Sequence, residues 1–174
     1  MNSAFFPAMD YQGGQYGQLI LSRLPFTDIR PFHRLPPTEQ GVEPRILCEA
    51  HVKVGETTVA FFATHLDHQK VERRMKQVEE IDRVTAPIKD LALLAGDLNA
   101  RPDSPPITTL TRTWTDPSAG KGLLTMPSEN PKGQIDYVLY RPKDRLRPLD
   151  VKVLDEPVAS DHRPVLATFE LPAR

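Results

Sequence analysis

Cysteine occurs once in this sequence, at Cys48. A single thiol excludes an intrachain disulfide and any cysteine zinc cluster, and it leaves the redox compartment unread. Tryptophan also occurs once, at Trp114. One indole is no base-stacking platform, and no basic stripe with interleaved aromatics accompanies it. An excess of one charge sign is missing too: 22 Lys and Arg stand against 23 Asp and Glu, for a formal net charge of -1. No global field draws such a chain onto nucleic acid, which weakens the case for unspecific coating and leaves a local phosphate-cleaving site open. Nucleic acid stays open as a substrate, although charge does not point to it. No stretch approaches the roughly 20 apolar residues of a membrane span. Met1 to Tyr16 shows neither a basic leader nor an apolar run of signal length, so the compartment is not readable. There is no internal repeat and no low-complexity segment.

What remains is ordinary globular material: 174 residues, 39% hydrophobic and 26% charged, with 18 prolines punctuating short elements. The length suits one domain over residues 1–174. A short strand is expected around Leu19–Leu21, ending near Pro25, and a proline-rich loop from Arg30 to Pro44. From Ile46 to Val54 the alternation is strict, with Cys48, Ala50, Val52 and Val54 against Glu49, His51 and Lys53. That pattern predicts a half-buried strand, paired through a Gly55-Glu56 turn with a second strand over Thr57–Thr64. The period then changes. Val71, Met75, Val78, Ile81 and Val84 recur at helical spacing within Gln69–Ile88, with Pro87 at the end. Leu91–Ala95 is wholly apolar, as expected of a strand buried on both faces and stopping at Gly96. Arg101–Pro106 reads as a loop. Further strands are expected near Gln134–Tyr140, Val151–Leu154 and Pro164–Leu171.

Polar clusters sit where the apolar strands stop. Thr64-His65-Leu66-Asp67-His68 follows the second hairpin strand, Gly96-Asp97-Leu98-Asn99 follows the buried run, and Ser160-Asp161-His162-Arg163 precedes the last strand. Asp136 lies inside an apolar strand, where a carboxylate is costly without a partner, and a histidine is the natural one. If the extended run continues past Gly96, Asp97 and Asn99 share a face. A carboxylate beside an amide oxygen suits a hard cation or the positioning of a water. His65 and His162 can donate to phosphoryl oxygens or move a proton near neutral pH. Each cluster alone also fits a turn, a cap or a satisfied histidine. Their co-occurrence points to phosphate chemistry.

The ordered motifs at 16–23 (Tyr-Gly-x-x-Ile-Leu-Ser-Arg), 63–67 (Ala-Thr-His-Leu-Asp), 96–100 (Gly-Asp-Leu-Asn-Ala), 135–138 (Ile-Asp-Tyr-Val) and 160–165 (Ser-Asp-His-Arg-Pro-Val) carry a resemblance. From about Tyr11 to the end, the chain resembles the endonuclease/exonuclease/phosphatase family. The resemblance implies an α/β (α+β) fold: a four-layered α/β sandwich with mostly antiparallel central sheets. It implies hydrolysis of phosphoester bonds with Mg²⁺, sometimes Mn²⁺, as phosphodiesterase, phosphatase or nuclease. Asp97 would orient or activate the attacking water, and Asn99 would hold water or phosphate. His65 would contact the phosphate or act as acid toward the leaving group. Asp136 would hold His162, which would bind the phosphate or serve as base. Asp161 would lie near the metal as a ligand beside Asp97. Arg23 is a candidate phosphate neighbour, and Asp67 and His68 are candidate tuners of substrate choice.

One departure accompanies these matches. Members of the family begin with a strand carrying an asparagine and continue to a strand ending in a Gln-Glu pair, whose glutamate is the principal metal ligand. Nothing here corresponds to it; Asn2 and Asp10 lack the context. The resemblance therefore implies a domain truncated at its N-terminal side, with an open sheet edge that a second chain would complete. The alternative reading of the same motifs is a catalytically impaired fragment or a non-catalytic binding module.

Overall fold

In the computed structural model, which describes residues 1–171, the chain folds as α+β with mostly antiparallel sheets. The central sheet has five strands in the order β3 (Phe26–Leu35), β4 (Arg45–Val54), β5 (Thr57–His65), β6 (Leu91–Asp97) and β7 (Asp136–Arg141). All pairings are antiparallel except β5 with β6, which run parallel. That crossover is made by α1 (Val71–Thr85), as a parallel connection requires. A short helix, α2 (Pro105–Leu110), packs beside it. On the other side of the sheet lie two hairpins: β1 (Asn2–Tyr11) with β2 (Gly14–Ser22), and β8 (Arg147–Val153) with β9 (Val165–Glu170).

The helical period over 71–84 has its physical reason in the core. Val78 and Ile81 are fully buried against Phe62, Leu94 and Leu139 of the sheet, with Met75 and Val84 packed alongside. Val71, in the first turn, is exposed instead. The hairpin β1–β2 buries Ala4, Phe6 and Ala8 against Ile46 and Cys48, and the β8–β9 end closes over Val52, Val59, Leu91 and Tyr140. Each core therefore takes one face of the central sheet and one of its covering elements, which positions the strand ends.

Several expectations need correction. Met1–Tyr11 carried no expected element, yet it forms β1; the alternation of Ala4, Phe6 and Ala8 is masked by Pro7, where the pairing register shifts. The strand expected at Leu19 begins at Gly14. The loop expected from Arg30 is strand as far as Leu35. Proline is tolerated there because β3 is an edge strand and its register slips between Arg30 and His33, around Pro31. β4 is buried on both faces rather than one. Its polar face is covered because Glu49 and His51, both under 8% exposed, satisfy each other at 2.6 Å. The run from Leu91 continues through Gly96 to Asp97. The proline-rich loop after Arg101 gives way at Pro105 to α2, where a proline in the first turn loses no hydrogen bond.

The largest of the buried clusters lies between the helices and the sheet. Ile81→Ala, at a fully buried position, is expected to lower unfolding stability by about 2–5 kcal/mol. Urea denaturation followed by circular dichroism measures this, and a loss under about 1 kcal/mol would mean that α1 is not seated as described.

Candidate active site

Three neighbouring strands place three chemical groups in one row. In the β5–β6 register His65 sits opposite Asp97, and in the β6–β7 register Asp97 sits opposite Asp136. Gly96 makes the row feasible. Its φ of +148° and the approach of the Thr64 carbonyl leave no room for a side chain, so an added Cβ would overlap that oxygen.

The chain turns at once beyond Asp97. Asn99 takes a left-handed conformation, with φ +47°. Its backbone N–H donates to Asp97 Oδ1 at 2.8 Å, and its side-chain Nδ2 donates to the Leu66 carbonyl at 3.0 Å. The two residues are thus brought together by a turn, not by a shared strand face, and no donor among the described residues takes the Asn99 amide oxygen. Leu98 N–H donates to the Ile135 carbonyl at 2.8 Å, which ties this turn to the entry of β7.

His162 arrives from the loop before β9. The loop is held by Ser128 N–H on the Asp161 carbonyl and Arg163 N–H on the Thr125 carbonyl, both at 2.7 Å. His162 Nδ1 lies 3.0 and 3.1 Å from the two oxygens of Asp136. Ligand atoms of Asp97, Asp136 and His162 lie within 4.8 Å of one another, close enough for one divalent cation. Two carboxylates suit a hard cation, which also keeps water in its shell. Beside them is a cavity of about 330 Å³, lined by Gly96, Asp97, Asp136, Val138, His162 and Pro164.

His65 completes the row. Its Nε2 is 3.3 Å from Asp97 Oδ2 and its Nδ1 is 3.3 Å from the Tyr16 hydroxyl. Burial, with the positive field of Arg45 and the nearby His162 and His68, pushes its pKa down to about 4. Asp97 moves the opposite way: burial and then the Asp136 carboxylate raise its pKa, against the Asn99 N–H, His162 and Arg45.

Other candidates from the sequence lie elsewhere. Asp67 is buried, and its carboxylate takes the backbone N–H groups of Gln69 and Lys70 at 2.9 and 2.7 Å and Arg73 at 3.3 Å. Burial opposes ionisation, but those donors outweigh it and hold the carboxyl below its usual range. Asp67 thus anchors the start of α1. His68 is half exposed and bonded through Nδ1 to Arg45 Nη2 at 3.1 Å, on the rim. The Asp161 carboxylate is exposed and accepts from the Ser160 hydroxyl. Arg23 is exposed just past the far end of β2. It lies seven residues along from Tyr16, which at the usual rise is roughly 20 Å away.

Tyr16 and Arg45 escaped the sequence reading as site residues. Tyr16 heads the first motif, but its hydroxyl meets His65 only because the β1–β2 hairpin folds back over the sheet. Arg45, only 3% exposed, opens β4 after a proline-rich loop and has no period or motif to mark it.

The depressed His65 pKa gives a stability prediction. The unfolded chain takes up this proton near pH 6.5, the folded chain only near 4. Stability is therefore fully present above pH 6.5 and is lost as pH falls toward 4, by on the order of 2–3 kcal/mol. Asp97 acts in the opposite sense, so the comparison is with His65→Gln. Urea midpoints of the metal-free chain at pH 7.5 and 4.5 should differ more for the parent than for that variant; equal differences would contradict the burial of a neutral His65.

Comparison with known proteins places this geometry. The sequence model of the endonuclease/exonuclease/phosphatase family matches residues 2–162. No curated protein matches the sequence. Among solved structures, an endonuclease/exonuclease/phosphatase from Bacteroides vulgatus is similar at 22% identity, with a TM-score of 0.76, over 98% of this chain and 76% of that one. A mannosyl-6-phosphatase of Bacteroides thetaiotaomicron is similar at 17% identity and TM-score 0.73, over 97% and 77%. The human nocturnin catalytic domain, with a bound sulfate anion, is similar at 18% and 0.69, over 98% and 72%. At these identities the structural likeness speaks for the fold alone. The family match spans nearly the whole chain and covers every residue of the Asp97, Asp136 and His162 cluster: this protein belongs to the endonuclease/exonuclease/phosphatase family.

Proposed function

We propose that this chain hydrolyses phosphoester bonds by in-line attack of water on phosphorus, with Mg²⁺ or Mn²⁺ held by the Asp97 and Asp136 carboxylates beside His162. The observation that carries the reading is the convergence of these ligand atoms within 4.8 Å at the strand ends. A bound divalent cation would neutralise charge on the phosphoryl oxygens and lower the pKa of a bound water. The remaining steps belong to this chain's own groups. Asp97, its other contacts fixed by Asn99, orients the water. His162, whose Nδ1–H points at Asp136, offers Nε2 to take the water's proton. His65 and Asn99 both stand against Asp97, where they would contact the phosphoryl group. The oxygen–phosphorus bond to the leaving group breaks as the water oxygen bonds, and the leaving oxygen takes up a proton from solvent while His162 carries the one from the attacking water.

The same proposal takes residues 1–174 as one domain and assigns the helices, the five-stranded sheet and the two hairpins to a four-layered sandwich. The sequence lacks the motif that would supply the first strand and its glutamate. Phosphodiesterase, phosphatase and nuclease activities share this chemistry. The mannosyl-6-phosphatase relative makes phosphomonoesters the first class to assay. Arg23 and the Asp161 carboxylate, as placed, have no step in this mechanism, and His68 meets substrate only at the rim.

A second reading is favoured by one observation. The cluster among the described residues offers two carboxylates and a histidine and no glutamate, which fits a binding module that keeps the fold but turns over slowly or not at all. The assay separates the two. With Mg²⁺ or Mn²⁺, the parent chain should hydrolyse p-nitrophenyl phosphate or bis(p-nitrophenyl) phosphate. Asp97→Ala and His162→Ala should each reduce the rate by about 10²–10⁴-fold. A parent rate equal to that of Asp97→Ala would leave the non-catalytic reading.

A further inference from the structure

The contacts of His65 fix more than its position. Nε2 lies 3.3 Å from Asp97 Oδ2. An ionised carboxylate accepts hydrogen bonds and donates none. Of the two ring nitrogens of a neutral imidazole, Nε2 must therefore carry the hydrogen, and Nδ1 presents a lone pair. The group at that lone pair, 3.3 Å away, is the Tyr16 hydroxyl.

Among the described residues, two charged groups also act on the Tyr16 hydroxyl, Arg45 and Glu43. Arg45 can only donate, so it leaves the Tyr16 proton to others. Its guanidinium is buried, and Nη2 meets His68 Nδ1 at 3.1 Å while Nη1 lies 3.1 Å from Glu43 Oε1. Glu43 is thus the one acceptor that competes with His65 for the Tyr16 proton. Were Glu43 to win, His65 would have to offer Nδ1–H to Tyr16. Its Nε2 lone pair would then face the Asp97 carboxylate, two acceptors against each other. Asp97 itself is held in place by the Asn99 N–H. Glu43 already has the Arg45 charge to satisfy it. The arrangement that leaves no acceptor facing another runs from Tyr16 to His65 to Asp97.

We propose that Tyr16 is a positioning residue that locks His65 as its Nε2–H tautomer, so that His65 meets the reacting phosphate as a hydrogen-bond donor and never as the base. This rests on the phosphoester-hydrolase reading of the site. It also divides the labour between the two histidines. At His162 the orienting partner is a carboxylate, which takes Nδ1–H and leaves Nε2 as the lone pair. At His65 the orienting partner is a hydroxyl, which fills Nδ1 and leaves Nε2–H. The two imidazoles therefore present opposite nitrogens beside Asp97 and Asp136, one accepting the water's proton, the other stabilising charge on oxygen.

Long-range ¹H–¹⁵N spectra of the ¹⁵N-labelled chain at pH 7.5 without added metal read the tautomer directly. The expected result is His65 with Nε2 protonated and Nδ1 bare, and His162 with the reverse. Tyr16→Phe keeps the ring and removes only the donor. It should convert His65 to a tautomer mixture while the amide spectrum away from the site stays the same. In the hydrolysis assay it should lower kcat by about 10- to 100-fold with little change in KM. Glu43→Gln should leave the His65 tautomer as in the parent, and it carries the test if Tyr16→Phe does not fold. His65 protonated on Nδ1 in the parent, an unchanged tautomer in Tyr16→Phe, or a switched one in Glu43→Gln would overturn the proposal. Because the spectra need no turnover, a chain without activity would overturn the hydrolase reading while the tautomer result still decides the role of Tyr16.

Discussion

Everything at this site depends on one register. His65, Asp97 and Asp136 lie side by side because β5, β6 and β7 end in step, and they end in step because Gly96 lets the Thr64 carbonyl come close. A sheet slipped by one residue would turn each of these side chains to the opposite face. The register is protected by burial. Phe62, Leu94 and Leu139 point into the core under α1, and a slip would carry all three out of it. The energy that holds the site is thus spread over apolar contacts with no part in the chemistry. The polar row can then keep two carboxylates close together, an arrangement that repels in the absence of a cation.

The charges around the row answer one another. Burial makes both His65 and Asp97 reluctant to ionise, and the Asp136 carboxylate adds to the effect on Asp97. A divalent cation would reverse that effect on Asp97. Arg45 supplies a fixed positive charge from behind the site, where it acts on His65, Asp97 and Tyr16 alike. Asp67 and Arg73 do similar work at the start of α1. There a buried carboxylate is satisfied by the backbone just ahead of the helix and by Arg73 within it, which fixes the segment after His65 to α1.

The strongest sequence signals came from long periods and from abrupt stops. The helical spacing from Met75 to Val84 reported a real helix, because burial of one face enforces the period; the alternation from Cys48 to Val54 also marked a real strand, although both of its faces are buried. The polar clusters were legible because polar residues directly after apolar strands have no packing role there. The need of Asp136 for a histidine followed from the cost of a carboxylate in an apolar strand, and the family resemblance named His162, 26 residues away. What stayed hidden was whatever depends on contacts across the fold. β1 and the second half of β3 were masked by Pro7 and Pro31, which sit at register shifts that only the paired strand reveals. The burial of Glu49 and His51 was invisible because each is the other's partner. Tyr16 is distant in sequence from the histidine it touches, and the role of Asp67 as an anchor for α1 could not be told from a place in the cavity until the helix start was seen.

Metal binding by the row is the claim on which the account turns, and calorimetry with Mn²⁺ on the chain measures it without any substrate. One binding event per chain, lost in an Asp97→Ala/Asp136→Ala double variant that still folds, is the predicted result. Heat of binding unchanged in that variant, or none in the parent, would contradict it.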